Sequence, residues 1–308
     1  MTEPAATTPG HPPPSMIRSQ SFRWGDRTYV MGIINATPDS FSGDGVLAEA
    51  VPGGTATDAG GPVERAVAIA RRMVADGADI LDVGGESTRP GHHPVPAGEE
   101  IQRIVPVIKA VRAALPDVPI SVDTTKASVA DAAIAAGADL INDVWGVGAD
   151  DSIARLAAAR GAPLVVMHNR DEPRYGRFMP EVVDDLRAAL DRALRLGVAW
   201  DNLIVDPGFG FGKTPDHNLE LIRGLGRLRT LGRPILLGTS RKSTLGRVLD
   251  LGPEERLEAT LATTALGIAG GADIVRVHDV RANVRAARMA DAIIRGNWRS
   301  EPAEGGPS

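Results

Sequence analysis

The sequence predicts an α/β fold of the (β/α)8, or TIM-barrel, type in a single domain. Eight short apolar runs recur along the chain, each followed by a polar residue or glycine and then by a longer, Ala-rich stretch with helical spacing. Continuous apolar runs are typical of strands buried on both faces, which helical crossovers make parallel. Eight such units in about 270 residues fit a barrel better than the alternative, an open Rossmann-type sheet, and no Gly-x-Gly-x-x-Gly follows the first run.

The eight runs give the predicted strands in order. They are Tyr29–Ile34, Asp79–Val83, Pro119–Val122, Asp139–Ile141, Pro163–Met167, Leu203–Val205, Pro234–Leu237 and Asp273–Val277. The stretches between them predict helices, among them 97–114, 126–136, 150–160, 180–196 and 254–270. The triplet Gly-Ala-Asp opens the second, fourth and eighth runs, and glycine at this place is typical of a helix end that leads into a strand.

The predicted barrel domain spans residues 21–298. Prolines crowd the first 14 residues, and so we expect residues 1–20, like residues 299–308, to be disordered tails. Residues 43–62 are rich in Gly, Ala and Pro and predict a long loop of the kind that is usually functional or disordered.

The composition excludes several classes of protein. The 308 residues include no cysteine, which excludes disulfides, thiolate metal sites and cysteine nucleophiles. The net charge of −5 argues against a nucleic-acid binder. We expect no membrane span and no secretory signal, because the sequence has neither an apolar run of about 18 residues nor a basic region followed by an apolar core. The expectation is a cytoplasmic protein.

Polar side chains follow nearly every predicted strand. The chemistry of a TIM barrel lies at the carboxyl ends of its strands, so these side chains would share one mouth. Each alone could be a helix N-cap, but so many together favour a ligand that satisfies them. The residues are Asn35, Gly84 to Ser87, Asp123, Asn142, His168, Asp206, Ser240 to Lys242, Arg276 and His278.

The polar groups fall into two chemical sets. The groups that suit a planar, nitrogen-rich heterocycle are Asp123, Asn142, Asp206 and Lys242. Arg276 and His278 alternate on one strand, face the same side and suit an anion such as phosphate. Asn35 could add an oxygen ligand for Mg²⁺. The alternative for Arg276 is an ion pair with a carboxylate such as Asp279.

The glycine-rich segment 208–214 ends like a Walker A loop. Pro207 stands where the first glycine of that motif would be, so a P-loop is excluded. We expect a turn after the sixth strand, with Lys213 pointing at the mouth. The spacing of the histidines fits no zinc site.

Seven segments, in order, carry a resemblance to a known family. They are 31–42 (MGIINATPDSFS), 82–91 (DVGGESTRPG), 121–124 (SVDT), 141–144 (INDV), 206–211 (DPGFGF), 240–243 (SRKS) and 276–280 (RVHDV). By these segments the chain resembles the dihydropteroate synthases, the pterin-binding folate enzymes that sulfonamides target. The resemblance covers residues 31–280, nearly the whole predicted barrel.

The resemblance implies a TIM-barrel transferase that condenses 6-hydroxymethyl-7,8-dihydropterin diphosphate with 4-aminobenzoate, giving 7,8-dihydropteroate and pyrophosphate. It also implies that the pterin C–O bond ionises first, that Mg²⁺ is the cofactor and that the protein is a homodimer. The implied pterin ligands are Asp123, Asn142, Met167, Asp206 and Lys242. The implied diphosphate ligands are Asn35, Arg276 and His278, with Asn35 also on the metal. The implied aminobenzoate ligands are Thr88, Arg89, Pro90, Lys242 and Ser243. Catalytic roles are implied for Asp123, Lys242, Arg276 and His278.

One loop departs from the family pattern. The family reads Ser-Asp-Gly-Gly after Phe, whereas this chain reads Ser-Gly-Asp-Gly, which displaces the acidic residue to Asp44. Glycine-flanked loops can absorb such a slip. Two other functions stay open on the residues alone: a pterin-binding methyltransferase of the same superfamily, and a non-catalytic relative that binds pterin or a partner protein.

Overall fold

The computed structural model describes residues 11–36, 61–86, 94–145 and 150–296. Its strands are β1 Ser15–Ile17, β2 Gln20–Phe22, β3 Tyr29–Asn35, β4 Ile80–Gly84, β5 Ile120–Asp123, β6 Leu140–Asp143, β7 Leu164–Met167, β8 Leu203–Asp206, β9 Leu236–Leu237 and β10 Ile274–Val277. Its α-helices are α1 Pro62–Ala75, α2 Ala97–Ala114, α3 Ala127–Ala136, α4 Ser152–Arg160, α5 Phe178–Arg195, α6 Pro215–Gly224, α7 Ser243–Leu249, α8 Leu257–Ala269 and α9 Val280–Arg295. Short 3-10 helices lie at Trp200–Asn202, Leu225–Leu231 and Pro253–Glu255.

Eight parallel strands form one sheet in the order β8-β7-β6-β5-β4-β3-β10-β9. A parallel bridge between Val205 and Ile235 joins β8 to the residue before β9 and closes the sheet. The predicted TIM barrel is therefore confirmed, and the alternative open sheet is wrong. All eight predicted strands are present, because each combines an apolar β-branched run with a helical crossover.

The Gly-Ala-Asp triplets join helix ends to strands. Gly137 has φ 115°, a conformation open to glycine at little cost, where it ends α3. Two residues later the Asp139 carboxylate accepts a hydrogen bond of 2.8 Å from the backbone N–H of Ile120, on the neighbouring strand. Asp79 and Asp273 bind the starts of their neighbouring strands in the same way. The triplet thus fixes the register between adjacent strands.

The barrel interior changes from apolar to polar along the strands. Side chains two residues apart on a strand face the same side. At the amino end the inward residues form one buried apolar cluster that includes Ile80, Leu140, Ile204 and Ile274. Two residues further along, the same four strands present Asp82, Asn142, Asp206 and Arg276. The alternation therefore gives the barrel an apolar base and a polar mouth.

An N-terminal hairpin closes the base, and it corrects the prediction that residues 1–20 form a disordered tail. β1 and β2 pair antiparallel, and Ile17, Phe22 and Trp24 are buried in the cluster that fills the base of the barrel. The prolines end at Pro14 and the buried apolar side chains begin at Ile17, so the composition that predicts disorder does not extend to the hairpin. The domain therefore begins before residue 21.

The predicted tail over 299–308 lies outside the described residues. So does the predicted loop over 43–62, apart from Gly61 and Pro62, where α1 begins. Within the described ranges, no helix is both long enough and apolar enough to cross a membrane.

Candidate active site

Polar side chains from five strands meet at the carboxyl end of the barrel. Arg276 donates from Nε to Asp82 Oδ2 at 2.6 Å and from Nη2 to Asp123 Oδ2. Asn142 Nδ2 donates to the same oxygen of Asp82 at 3.3 Å. These residues, with Asp206 at the end of β8, form the floor of the mouth. One guanidinium there holds two buried carboxylates together.

Several buried oxygens of this region lack a partner within the described part of the chain. They are Asp82 Oδ1, Asp123 Oδ1 and Ser121 Oγ. Ser121 lies opposite Asp82 in the register and two residues before Asp123 on β5. Leaving a buried acceptor without a partner costs about 1–3 kcal/mol. The floor is therefore chemically incomplete, as expected of a site that binds a hydrogen-bonding ligand.

Burial favours the uncharged forms of the acidic and basic groups at the floor and so shifts their pKa values. It raises the pKa of Asp123 to about 7, against the opposing effect of Arg276. It also raises the pKa of Asp206, although the hydrogen bond from Gly208 and the charge of Lys242 work against it. Burial and the nearby Arg276 lower the pKa of Lys242 to about 8. For Arg276 burial acts downward, but Asp82 and Asp123 outweigh it and raise the pKa.

The glycine-rich turn after β8 lies beside the floor. Asp206 Oδ1 accepts a hydrogen bond of 2.7 Å from Gly208 N–H. The Lys242 ammonium lies 3.9 Å from the centre of the Phe211 ring, a cation–π contact. The turn therefore brings one acidic and one basic pterin candidate together. Lys213, predicted to point at the mouth, has its ammonium in the wall of the mouth, 2.8 Å from His168 Nδ1.

The end of β10 is braced by the loop after β9. Ser240 Oγ accepts from His278 N–H at 3.2 Å and lies 2.9 Å from His278 Nδ1. Arg241 forms ion pairs with Asp279 and Glu254. The alternative for Arg276, an ion pair with a carboxylate, is therefore present, but its partners are Asp82 and Asp123. Asp279 is not the partner, because Arg241 binds it.

The remaining predicted residues are distributed around the mouth or lie beyond the described ranges. Asn35 is exposed at the end of β3, Met167 is buried at the end of β7, and Ser243 is exposed as the first residue of α7. Thr88, Arg89 and Pro90, predicted for aminobenzoate, lie outside the described residues, as does Asp44.

Sequence reasoning missed two members of the site. Asp82 belongs to a quoted segment but received no role, although a charge in a strand buried on both faces signals an inward polar group. Phe211 also belongs to a quoted segment. Its contact with Lys242, like the contact of the predicted residue Ser240 with His278, crosses between strand ends, so no local spacing could have revealed it.

Comparison with known proteins decides the family. Residues 31–278 match the family model described as pterin binding enzyme. The chain is 50% identical over 280 residues to the dihydropteroate synthase of Clostridium beijerinckii, covering 91% of this chain and 99% of that protein.

The chain belongs to the dihydropteroate synthase family. A solved dihydropteroate synthase from Clostridium difficile, in the presence of pteroic acid, superposes with a TM-score of 0.81 at 47% identity and covers 89% of this chain and 99% of its own. The Xanthomonas albilineans dihydropteroate synthase, solved with 4-aminobenzoic acid, gives a TM-score of 0.80 at 40% identity, covering 92% of this chain and 98% of its own. These relatives favour the synthase over the methyltransferase alternative.

Proposed function

We propose that the protein joins 6-hydroxymethyl-7,8-dihydropterin diphosphate to 4-aminobenzoate, releasing pyrophosphate and forming 7,8-dihydropteroate. The main support for this proposal is the floor of the mouth, where buried carboxylates and an amide surround Arg276. Some of the buried acceptors there have no partner among the described residues. Carboxylate and amide groups match the amino-pyrimidine edge of a pterin, because a carboxylate accepts from neighbouring N–H groups and an amide can also donate to a ring nitrogen.

The pterin subsite would use the inner side of the floor. Asp206 has one oxygen fixed by Gly208 N–H, so the carboxylate has a set orientation in which it can accept from the pterin. Asn142 is held by Asp82, and Met167 is a buried apolar group that can pack on a ring. Lys242, held over Phe211, would donate to the pterin from the opposite side.

The leaving-group subsite would use the carboxyl ends of β3 and β10, which are neighbours in the sheet. In the reaction the C–O bond to the diphosphate breaks, and the oxygen carries its electron pair away as pyrophosphate. Arg276 and His278 would bind the growing negative charge, while the Asp123 carboxylate would stabilise the positive charge that develops on the pterin methylene.

The donor set at the mouth fits a magnesium ion. Asn35 offers one neutral oxygen at the end of β3, and no group of three His, Asp or Glu arranged for a metal occurs in the described ranges. Magnesium typically takes one or two protein oxygens and completes its shell with phosphate oxygens and water. Asn35 would hold the ion, which when bound neutralises charge on the diphosphate.

The aminobenzoate subsite would use Lys242 and Ser243, together with Thr88, Arg89 and Pro90, which the resemblance assigns to it. The aromatic amine attacks the pterin methylene, forms the C–N bond and then loses a proton. The diphosphate is already a good leaving group, so the reaction needs no strong base. These roles for the individual residues remain predictions.

A pyrophosphate-release assay tests the proposed function. With both substrates and Mg²⁺, the protein should release pyrophosphate in proportion to the aminobenzoate consumed, and omission of either substrate should stop the release. A protein that binds pterin but releases no aminobenzoate-dependent pyrophosphate would be the non-catalytic relative considered above.

We also propose a homodimer formed through α8 and α9. Thr260, Thr264 and Ile268 of α8 are buried, whereas Leu266 and, on the adjacent α9, Met289 and Ile293 are 59%, 62% and 69% exposed. An apolar patch across two helices favours a protein interface. Ile293→Lys should shift the sedimentation coefficient toward the monomer, and an unchanged dimer would contradict this interface.

A cytoplasmic location stays a prediction that cell fractionation can test.

A further inference from the structure

Lys213 joins two loops at the mouth. Its ammonium donates to His168 Nδ1 at 2.8 Å, to the Phe211 carbonyl at 3.0 Å and to the His168 carbonyl at 3.4 Å. His168 directly follows β7, and Phe211 lies in the glycine-rich turn after β8. One cation therefore links the ends of two neighbouring strands.

The two loops are packed too closely for side chains at two of the turn positions. A Cβ atom added at Gly208 would lie 1.9 Å from the His168 carbonyl oxygen, and one at Gly212 would lie 2.2 Å from the Arg170 carbonyl oxygen. Tyr175 donates its hydroxyl hydrogen to the Gly212 carbonyl at 2.8 Å. The turn thus rests on the backbone of the preceding loop, and Lys213 fastens the contact.

His168 is held so that it can accept the Lys213 hydrogen bond. Its ring is fully buried, and Nε2 lies 3.1 Å from Asp185 Oδ2. Arg170 binds the same carboxylate and also Glu181. Because Nδ1 accepts from Lys213, Nε2 must carry the hydrogen and donate it to Asp185. Burial and the Lys213 charge lower the pKa of His168 to about 4, which keeps the imidazole neutral.

We propose that Lys213 is a positioning residue for the pterin subsite, an inference that rests on the proposed function. By fixing the Phe211 carbonyl against His168, Lys213 sets the turn between Asp206 and α6. The Phe211 ring then holds the Lys242 ammonium, and Gly208 N–H holds the Asp206 carboxylate. Lys213 thereby acts on the pterin through Asp206 and Lys242 without touching it.

Lys213 changes its protonation state near neutral pH. Burial lowers the pKa of Lys213 to about 7, Asp206 and Asp185 act upward, and Arg170 and Lys242 act downward. The neutral His168 ring faces the same ammonium. Loss of the proton above pH 7 removes one of three donors and weakens the link between the loops.

Calorimetric titration with 6-hydroxymethyl-7,8-dihydropterin tests the proposal without requiring turnover. Lys213→Met keeps the length of the side chain but removes every donor, and it should weaken pterin binding about 10-fold. Lys109→Met, on the exposed face of α2, is the matched control and should bind as the unaltered protein does. The pyrophosphate assay should then show a raised KM for the pterin diphosphate with a smaller fall in kcat.

A variant with a permanent charge separates positioning from simple support of the fold. Lys213→Arg should bind pterin with less loss between pH 7 and pH 9 than the unaltered protein. Normal pterin affinity in Lys213→Met, even with a lower melting temperature, would overturn the proposal, as would identical pH dependence in Lys213→Arg. Failure of the unaltered protein to release pyrophosphate would instead count against the proposed function.

Discussion

Arg276 has two binding roles at the floor of the mouth, one observed and one predicted. It binds Asp82 and Asp123 through Nε and Nη2, and it is also the residue predicted to receive the diphosphate. A guanidinium has five N–H donors in a fixed fork, so one side chain can bind the two carboxylates and also the diphosphate. The structure thus explains why an arginine, rather than a lysine, suits this strand.

Arg276→Ala should weaken use of the diphosphate substrate by about 2–3 kcal/mol, the scale of a hydrogen bond to a charged group. Binding of the pterin alcohol, which lacks the diphosphate, should change much less. The two affinities can be measured by calorimetry on the same variant. Equal losses for both ligands would show that Arg276 only organises Asp82 and Asp123.

Asp206→Asn should weaken pterin binding by about 2 kcal/mol or more. The amide oxygen can still accept from Gly208 N–H, but the amide nitrogen then presents a donor where the pterin also presents donors. The melting temperature should stay close to that of the unaltered protein. Normal pterin affinity with a lower melting temperature would make Asp206 a structural cap of its turn.

At the scale of the elements, three copies of one triplet differ in their electrostatic surroundings. Asp79 pairs with Arg27, and Asp139 pairs with Arg112 and Arg18. Asp273 has no cation within ion-pair distance among the described residues, and its Oδ1 has no hydrogen-bond partner there. Burial raises the pKa of Asp273 to about 6, against the hydrogen bond from Ile235 and the charges of Arg295 and Arg229.

Asp273→Asn should gain stability relative to the unaltered protein as the pH rises from 4 to 7. The folded carboxyl group keeps its proton to about pH 6, whereas the unfolded one loses it near pH 4, so its contribution to stability is complete below pH 4 and is lost as the pH rises through 6. Asn keeps the acceptor for Ile235 N–H and does not ionise. Denaturant unfolding should show a relative gain of up to about 3 kcal/mol.

Asp139→Asn is the matched control, since the same position of the same triplet is ion-paired there. It should lose about 2 kcal/mol at pH 7, because Arg112 loses a charged partner. A stability difference for Asp273→Asn that does not vary with pH would contradict the account of Asp273.

At the scale of the whole molecule, the hairpin β1–β2 completes the apolar base of the barrel. Ile17→Ala should cost about 2–5 kcal/mol, because Ile17 is 2% exposed and contributes to that base. Met16→Ala, one residue earlier and 61% exposed, should cost less than about 0.5 kcal/mol. Similar small losses for both variants, measured by denaturant unfolding, would mean that the hairpin adds little to the fold.

The barrel was predictable from the sequence because its signals are local. An apolar run, a turn and an amphipathic helix recur together, and Gly-Ala-Asp marks the strand starts. The hairpin was missed because its strands are three residues long and follow a proline-rich segment. Asp123, Asn142 and Asp206 could be placed at the mouth, because each stands at a strand end. The pairing of Arg276 with Asp82 joins residues 194 positions apart, and only barrel closure brings them together.

The most direct test of the proposed reaction is to identify its product by mass spectrometry after incubation with ¹⁵N-labelled 4-aminobenzoate, pterin diphosphate and Mg²⁺. The proposed chemistry forms a C–N bond between the labelled amine and the pterin methylene. We expect labelled 7,8-dihydropteroate that keeps the ¹⁵N atom and forms in equal amount to the pyrophosphate released. Pyrophosphate accompanied only by the unlabelled pterin alcohol, or no reaction, would contradict it.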